Sequence, residues 1–189
     1  MSENQKQARV KKIVIAYPFV LATAVAALNY FIFGVAPLTF APPAAAVIGA
    51  IVFAFALLLI NHSWLMTSTE LIRLRYDLRA TPEEWRESGL DPARASAQGL
   101  AELQRRHNAH RNTTENVVYF LPLALLFAFV SPPFAASLAW IVGFGVARLG
   151  YTYAYFAANT SLRGAFMTLS LLCNFGLASY LAIAWIRSI

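Results

Sequence analysis

The chain has 189 residues, of which 59% are hydrophobic and only 13% charged, and its mean hydropathy is +0.56. That apolar content exceeds what one soluble core of this length can bury, so lipid is the expected solvent. The net charge of +6 suits a nucleic-acid partner only if the cations share one patch; they are spread between apolar blocks instead, so that class is set aside.

Lys6, Arg9, Lys11 and Lys12 precede a first apolar block, about 13–33. Its run is longer than a secretory signal's apolar region and lacks a small-x-small cleavage site, so it reads as a retained anchor. Pro37, Pro42 and Pro43 punctuate the link to a second block, about 43–65. Between the second and third blocks fall Arg73, Arg75, Arg79, Arg86, Arg94, Arg105, Arg106 and Arg111. Within that stretch the loop 77–99 holds most of the acids, and Thr81-Pro82-Glu83-Glu84 reads as a helix start with proline in the first turn. The next helix is expected to begin near 96–100, run through Glu115 and enter a third block at 117–130, protruding on the charged side. That block is short for a span by composition alone.

Pro132 and Pro133 mark a tight turn into the fourth block, 134–156, and Arg163 opens the fifth, 165–186. Five crossings put the N-terminus, the arginine-rich loop and Arg163 on one side, the cytoplasmic one, whereas 34–41 and 131–133 carry no Lys or Arg and only Arg187 lies opposite. The predicted class is an all-α, multi-pass integral membrane protein, and the Ala- and Arg-rich composition fits a bacterial inner membrane, with the endoplasmic reticulum as the alternative. The single Cys173 lies in the last apolar block and reads as a packing residue.

Polar residues inside these blocks carry the functional reading. In LQRRHNAHRNTTENVVYF, residues 103–120, Arg111 and Glu115 are four apart and Asn112 shares their helix face. They form either an interfacial ion pair with an amide neighbour or the rim of a wet cavity. Arg148, Tyr151, Thr152 and Tyr155 recur at i, i+3, i+4 and i+7 of an apolar helix. Thr152 reads as interhelical glue; Arg148 must snorkel, pair with a carboxylate such as Glu115, or hold an anion. With Arg73, Arg111 and Arg163 at the same membrane level, these cations predict a pocket for a small cytoplasmic anion, while an apolar co-substrate arrives through lipid. His107 and His110 are three apart and His62 lies within the second block, but with no Cys pair and no second intramembrane His, no metal or haem is expected.

The segment AHRNTTEN resembles the signature of the MAPEG family, the membrane-associated proteins in eicosanoid and glutathione metabolism. Arg105, Ala109, His110, Asn112 and Glu115 match its pattern, and Arg111 matches members that bind glutathione through an arginine at that place. Arg73-Leu74-Arg75 looks like the arginine-rich end of the family's first helix, and Arg148, Tyr155 and Arg163 resemble residues of its third and fourth. The similarity covers about 44–189. It implies a four-helix domain over 41–189, with 1–40 a basic segment and one additional transmembrane helix, and a homotrimer with sites between subunits. Departures are Gln104 for a usual Glu, Tyr119 for a common Pro, Gly164 for a Ser beside the catalytic arginine, and Met167 where prostaglandin E synthases carry a Tyr.

What the resemblance implies chemically is glutathione as co-substrate. Its two carboxylates call for guanidinium groups, its ammonium for an acid, and its thiol, with an unperturbed pKa near ~8.5, for a cation that favours the thiolate. The expected binding set is Arg73, Arg111, Asn112, Glu115, Arg148, Tyr151 and Tyr155, with Arg163 as the catalytic residue. The implied activity is of the glutathione transferase or peroxidase type, conjugating glutathione to a lipophilic electrophile or reducing a hydroperoxide. A non-catalytic lipid- or glutathione-binding protein of the same fold, toward which Gly164 and Met167 lean, and a structural bundle both stay open. A channel or transporter lacks the polar path it needs, because the outer halves of the spans are apolar.

Overall fold

The structure, a computed structural model, describes residues 3–189. Six helices follow one another and no strand occurs among the described residues. They are α1 (Glu3–Leu28), which continues through a wide helical turn at Asn29–Phe33; α2 (Ala45–Arg75); the short α3 (Pro82–Ser88); α4 (Ala97–Ala128); α5 (Phe134–Phe156), widened at Leu138–Val142; and α6 (Thr160–Ile186). Side-chain caps set several starts. Thr81 accepts from the Glu84 amide at α3, Ser96 from Gly99 at α4, and Asn159 from Leu162 at α6. Gly34, at φ +64°, ends α1 in a conformation that glycine adopts without strain.

Four helices, α1, α2, α5 and α6, are both long and apolar enough to cross a membrane. The sequence reading counts five crossings, and α4 is the exception. It has 32 residues, roughly 48 Å at 1.5 Å per residue, but its first half carries the polar string that ends at Glu115. Residues 103–120 do lie on one continuous helix, and the apolar part of α4 is the short block expected from the sequence.

Helices α2, α4, α5 and α6 pack as a bundle whose inner faces are built largely from small residues. Ala54, Ala109, Ala124, Ala136 and Ala147 are fully buried. Gly145 lets α5 approach α2 so closely that a Cβ there would sit 3.2 Å from Leu57 and 3.3 Å from the Ala54 carbonyl oxygen. Lipid supplies no hydrophobic drive between helices, so such close approach, with its dispersion contacts, is what holds them together. Phe120 of α4 stacks on Phe144 of α5, centroids 4.1 Å apart, and fills the space the small residues leave.

The additional helix α1 packs on α6 outside this bundle. Its anchor is a buried amide: Asn29 Nδ2 donates to the Gly176 carbonyl (2.7 Å) and to Ser179 Oγ (2.9 Å), and Asn29 Oδ1 accepts from Trp140 Nε1 (2.9 Å). The link after α1 is tied down as well. The Leu38 amide donates to Ala184 O and Arg187 donates to Val35 O.

Candidate functional site

Arg148 sits at the centre of the polar groups, on α5, with no solvent exposure. One terminal nitrogen donates to Asn112 Oδ1 (3.1 Å) and Thr113 Oγ1 (3.0 Å) on α4, the other to Ser170 Oγ (3.3 Å) on α6. The guanidinium also lies 4.2 Å from the centroid of the Tyr151 ring. One arginine thus ties three helices together. Its ion pair with Glu115, one of the sequence options, does not form: every partner of Arg148 among the described residues is neutral. Its Nε has no hydrogen-bond partner among the described residues. A buried cation with only neutral neighbours is costly in an apolar bundle and gains most from an anion brought to it.

The network extends toward the N-terminal end of α6. The Tyr151 and Tyr155 rings meet edge to face, centroids 5.0 Å apart, and the Arg163 guanidinium lies 5.0 Å from the Tyr155 centroid. Asn112, Arg148, Tyr151, Tyr155 and Arg163 therefore form one contiguous chain of side chains. The helix periods explain it: 148, 151 and 155 share a face of α5, and Tyr155 reaches across to the first turn of α6, where the short connection returns Arg163.

Beside this chain a cleft of about 400 Å³ opens between α4 and α6. Asn112, Glu115, Asn116 and Asn174 make one end polar, while Tyr119, Leu123, Met167, Leu171, Phe175 and Ala178 make the rest apolar. Asn174 donates to Asn116 O (3.4 Å), and Asn116 donates to Asn112 O (2.9 Å). Glu115 is exposed at the polar end and has no ion-pair partner among the described residues, which leaves it open to an ammonium group.

Two expected members stand apart within one chain. Arg73, at the end of α2, pairs with Glu70 and bears on His107 of α4. Arg111 points to another side of α4, where it donates to Asn108 Oδ1 (3.3 Å) and lines a cavity with His107, His110, Thr114 and Glu115. Neither joins the Arg148 network. Arg105, a motif match, pairs with Glu102 one turn away on α4. Sequence reasoning missed Thr113 and Ser170, the two hydroxyls that hold Arg148. Ser170 lies seven residues from Arg163, a spacing that places both on one face of α6 and was there to be read.

Bundle and site define a helical integral membrane protein with a buried cationic centre beside an amphipathic cleft. The MAPEG family pattern matches residues 48–183, well over half of the chain, and the chain belongs to that family. Its members are membrane proteins associated with glutathione and eicosanoid metabolism. No curated protein matches the chain.

Proposed function

We propose that the protein is a glutathione-dependent membrane enzyme that adds the glutathione thiolate to a lipophilic electrophile or reduces a lipophilic hydroperoxide with it. The observation that carries this reading is the solvent-free Arg148 whose partners are all neutral, next to a cleft that is polar at one end and apolar along the rest. In this reading Arg148 and Asn112 receive a glutathione carboxylate, and Glu115 receives the ammonium. Tyr151 and Tyr155 wall the site, and Arg163 holds the thiolate by lowering its pKa. The apolar part of the cleft takes the second substrate directly from lipid.

In this reading Arg73 and Arg111, which stand apart from Arg148 within one chain, enter the site from a neighbouring subunit of a homotrimer, as the family resemblance implies. The charge asymmetry supports an N-terminus and an Arg163 end that face the cytoplasm, and the composition supports a bacterial inner membrane.

Ultraviolet absorbance of the bound thiolate tests this reading on detergent-solubilised protein. Wild type is expected to show the thiolate band on adding glutathione, and Arg163→Ala to bind glutathione without it. A second reading, binding without activation, is favoured by Gly164, which offers no side chain beside Arg163, and by Met167 in the cleft wall. It requires wild type itself to bind with no thiolate band.

A further inference from the structure

The additional helix α1 lies outside the bundle, and the site described above uses none of its residues. It nevertheless reaches the part of α6 that carries Arg163. The Tyr17 hydroxyl of α1 meets Thr168 Oγ1 of α6, and Thr168 Oγ1 donates in turn to the Gly164 carbonyl oxygen (2.9 Å). With the threonine proton spent on that carbonyl, Tyr17 is the donor of the first bond. A chain of two hydrogen bonds therefore runs from α1 to the residue next to Arg163.

This turn of α6 is loosely held by its own sequence. Residues 160–165 are exposed apart from the partly buried Arg163, and the first fully buried residue of the helix is Ser170. Gly164 has no packing reason to be glycine, since a Cβ there meets nothing within 4 Å. A glycine in a helix weakens it relative to alanine, because its backbone has more freedom to lose. On the α5 side, Phe166 fills the space over Gly150, where a Cβ would lie 2.3 Å from the phenylalanine ring. Thr168 is two residues further on, roughly 200° around the helix, so Tyr17 grips the opposite side. Arg163, one turn before Phe166, is held between the two grips with its guanidinium over Tyr155. The Asn29 cluster cannot replace the second grip, because it lies about 18 Å further along α1 at 1.5 Å per residue.

We infer that Tyr17 is a positioning residue for Arg163: the additional helix braces the glycine-containing first turns of α6 through the chain Tyr17, Thr168, Gly164 and so fixes where the Arg163 guanidinium stands. The brace itself follows from these contacts. Its chemical consequence, which rests on the role proposed above for Arg163, is a glutathione thiolate that forms at lower pH when the cation is held in place.

Hydrogen exchange of the full-length protein in detergent, read on the backbone amides of residues 163–168, tests the brace, and an ultraviolet titration of the glutathione thiolate tests its consequence. Tyr17→Phe keeps the ring and loses only the hydroxyl. In this variant those amides are expected to exchange roughly two- to tenfold faster, the factor that one hydrogen bond carries, while the amides around Gly176 exchange as in wild type. The thiolate titration is expected to shift to higher pH. Adding Gly164→Ala, which stiffens the turn and meets no neighbour, is expected to restore both. Unchanged exchange in Tyr17→Phe, acceleration spread along the whole of α6, or no recovery with Gly164→Ala overturns the inference, and so does an unmoved titration when wild type forms the thiolate. A wild type with no thiolate band at any pH overturns the reading of Arg163 instead, and the exchange measurement then decides the brace by itself.

Discussion

Trp140 of α5 donates its indole N–H to Asn29 of α1 at 2.9 Å, while the same amide donates to Gly176 and Ser179 of α6. A single asparagine therefore joins the additional helix to two members of the bundle. Replacement by Leu leaves the Trp140 N–H and the Gly176 carbonyl without this partner in an apolar setting. Asn29→Leu is expected to lower stability by about 2 kcal/mol and to open α1 to protease in detergent. A thermal-unfolding midpoint and a digestion pattern equal to wild type would contradict the role given to Asn29.

Gly176 has no room for a side chain, because a Cβ there would lie 2.4 Å from the Trp140 ring. Gly176→Ala is expected to push the indole away from Asn29, at a cost of about 1–3 kcal/mol, with a shift in tryptophan fluorescence. Measuring both in one thermal melt checks it, and an Ala variant as stable as wild type would show that the ring gives way freely.

Much of the fold could be read from the sequence, because lipid leaves so few options for the backbone. Apolar length and proline placement gave the order of the long helices, and the helix starts at Ser96 and Thr81 follow from ordinary capping chemistry. The polar front half of α4 was visible as a shortfall in the third block. The site was legible in part. The i, i+3, i+7 stripe of Arg148, Tyr151 and Tyr155 names one face of α5, but nothing along the chain says which side chains meet that face from other helices. Thr113 and Ser170 were missed for that reason, as was the contact between the His62 and His110 rings. Arg73 and Arg111 share an expected membrane level with Arg148 in the sequence, yet depth alone does not fix azimuth, and in the folded chain they face elsewhere.

Arg148 is expected to serve binding at the expense of stability. Its charge is buried without a carboxylate, and an apolar side chain of similar volume removes that desolvation penalty. Arg148→Met is expected to unfold at the same temperature as wild type or a higher one in the absence of ligand. A loss of several kcal/mol, the usual result of breaking a buried ion pair at about 3–5 kcal/mol, would mean that the arginine is structural.

Acid should loosen the α2–α4 contact. Burial, and then Arg73, lowers the pKa of His107, and burial with the two neighbouring histidines lowers that of His110, both from the ordinary 6.5. A histidine whose folded pKa lies below its unfolded value binds fewer protons when folded, so stability is full above about 6.5 and falls as pH drops through the folded values. Melting temperature is expected to decrease below pH 6.5, and the decrease to shrink in a His107→Asn, His110→Asn double variant. An equal decrease in the double variant would assign the acid sensitivity to carboxylates.

Calorimetric titration of glutathione into the purified protein, wild type beside Arg148→Met, measures most directly whether the buried guanidinium is an anion-binding centre. Saturable binding by wild type, abolished in a variant that remains folded, is the expected result. Equal affinity in both proteins, or none in wild type, would contradict the account.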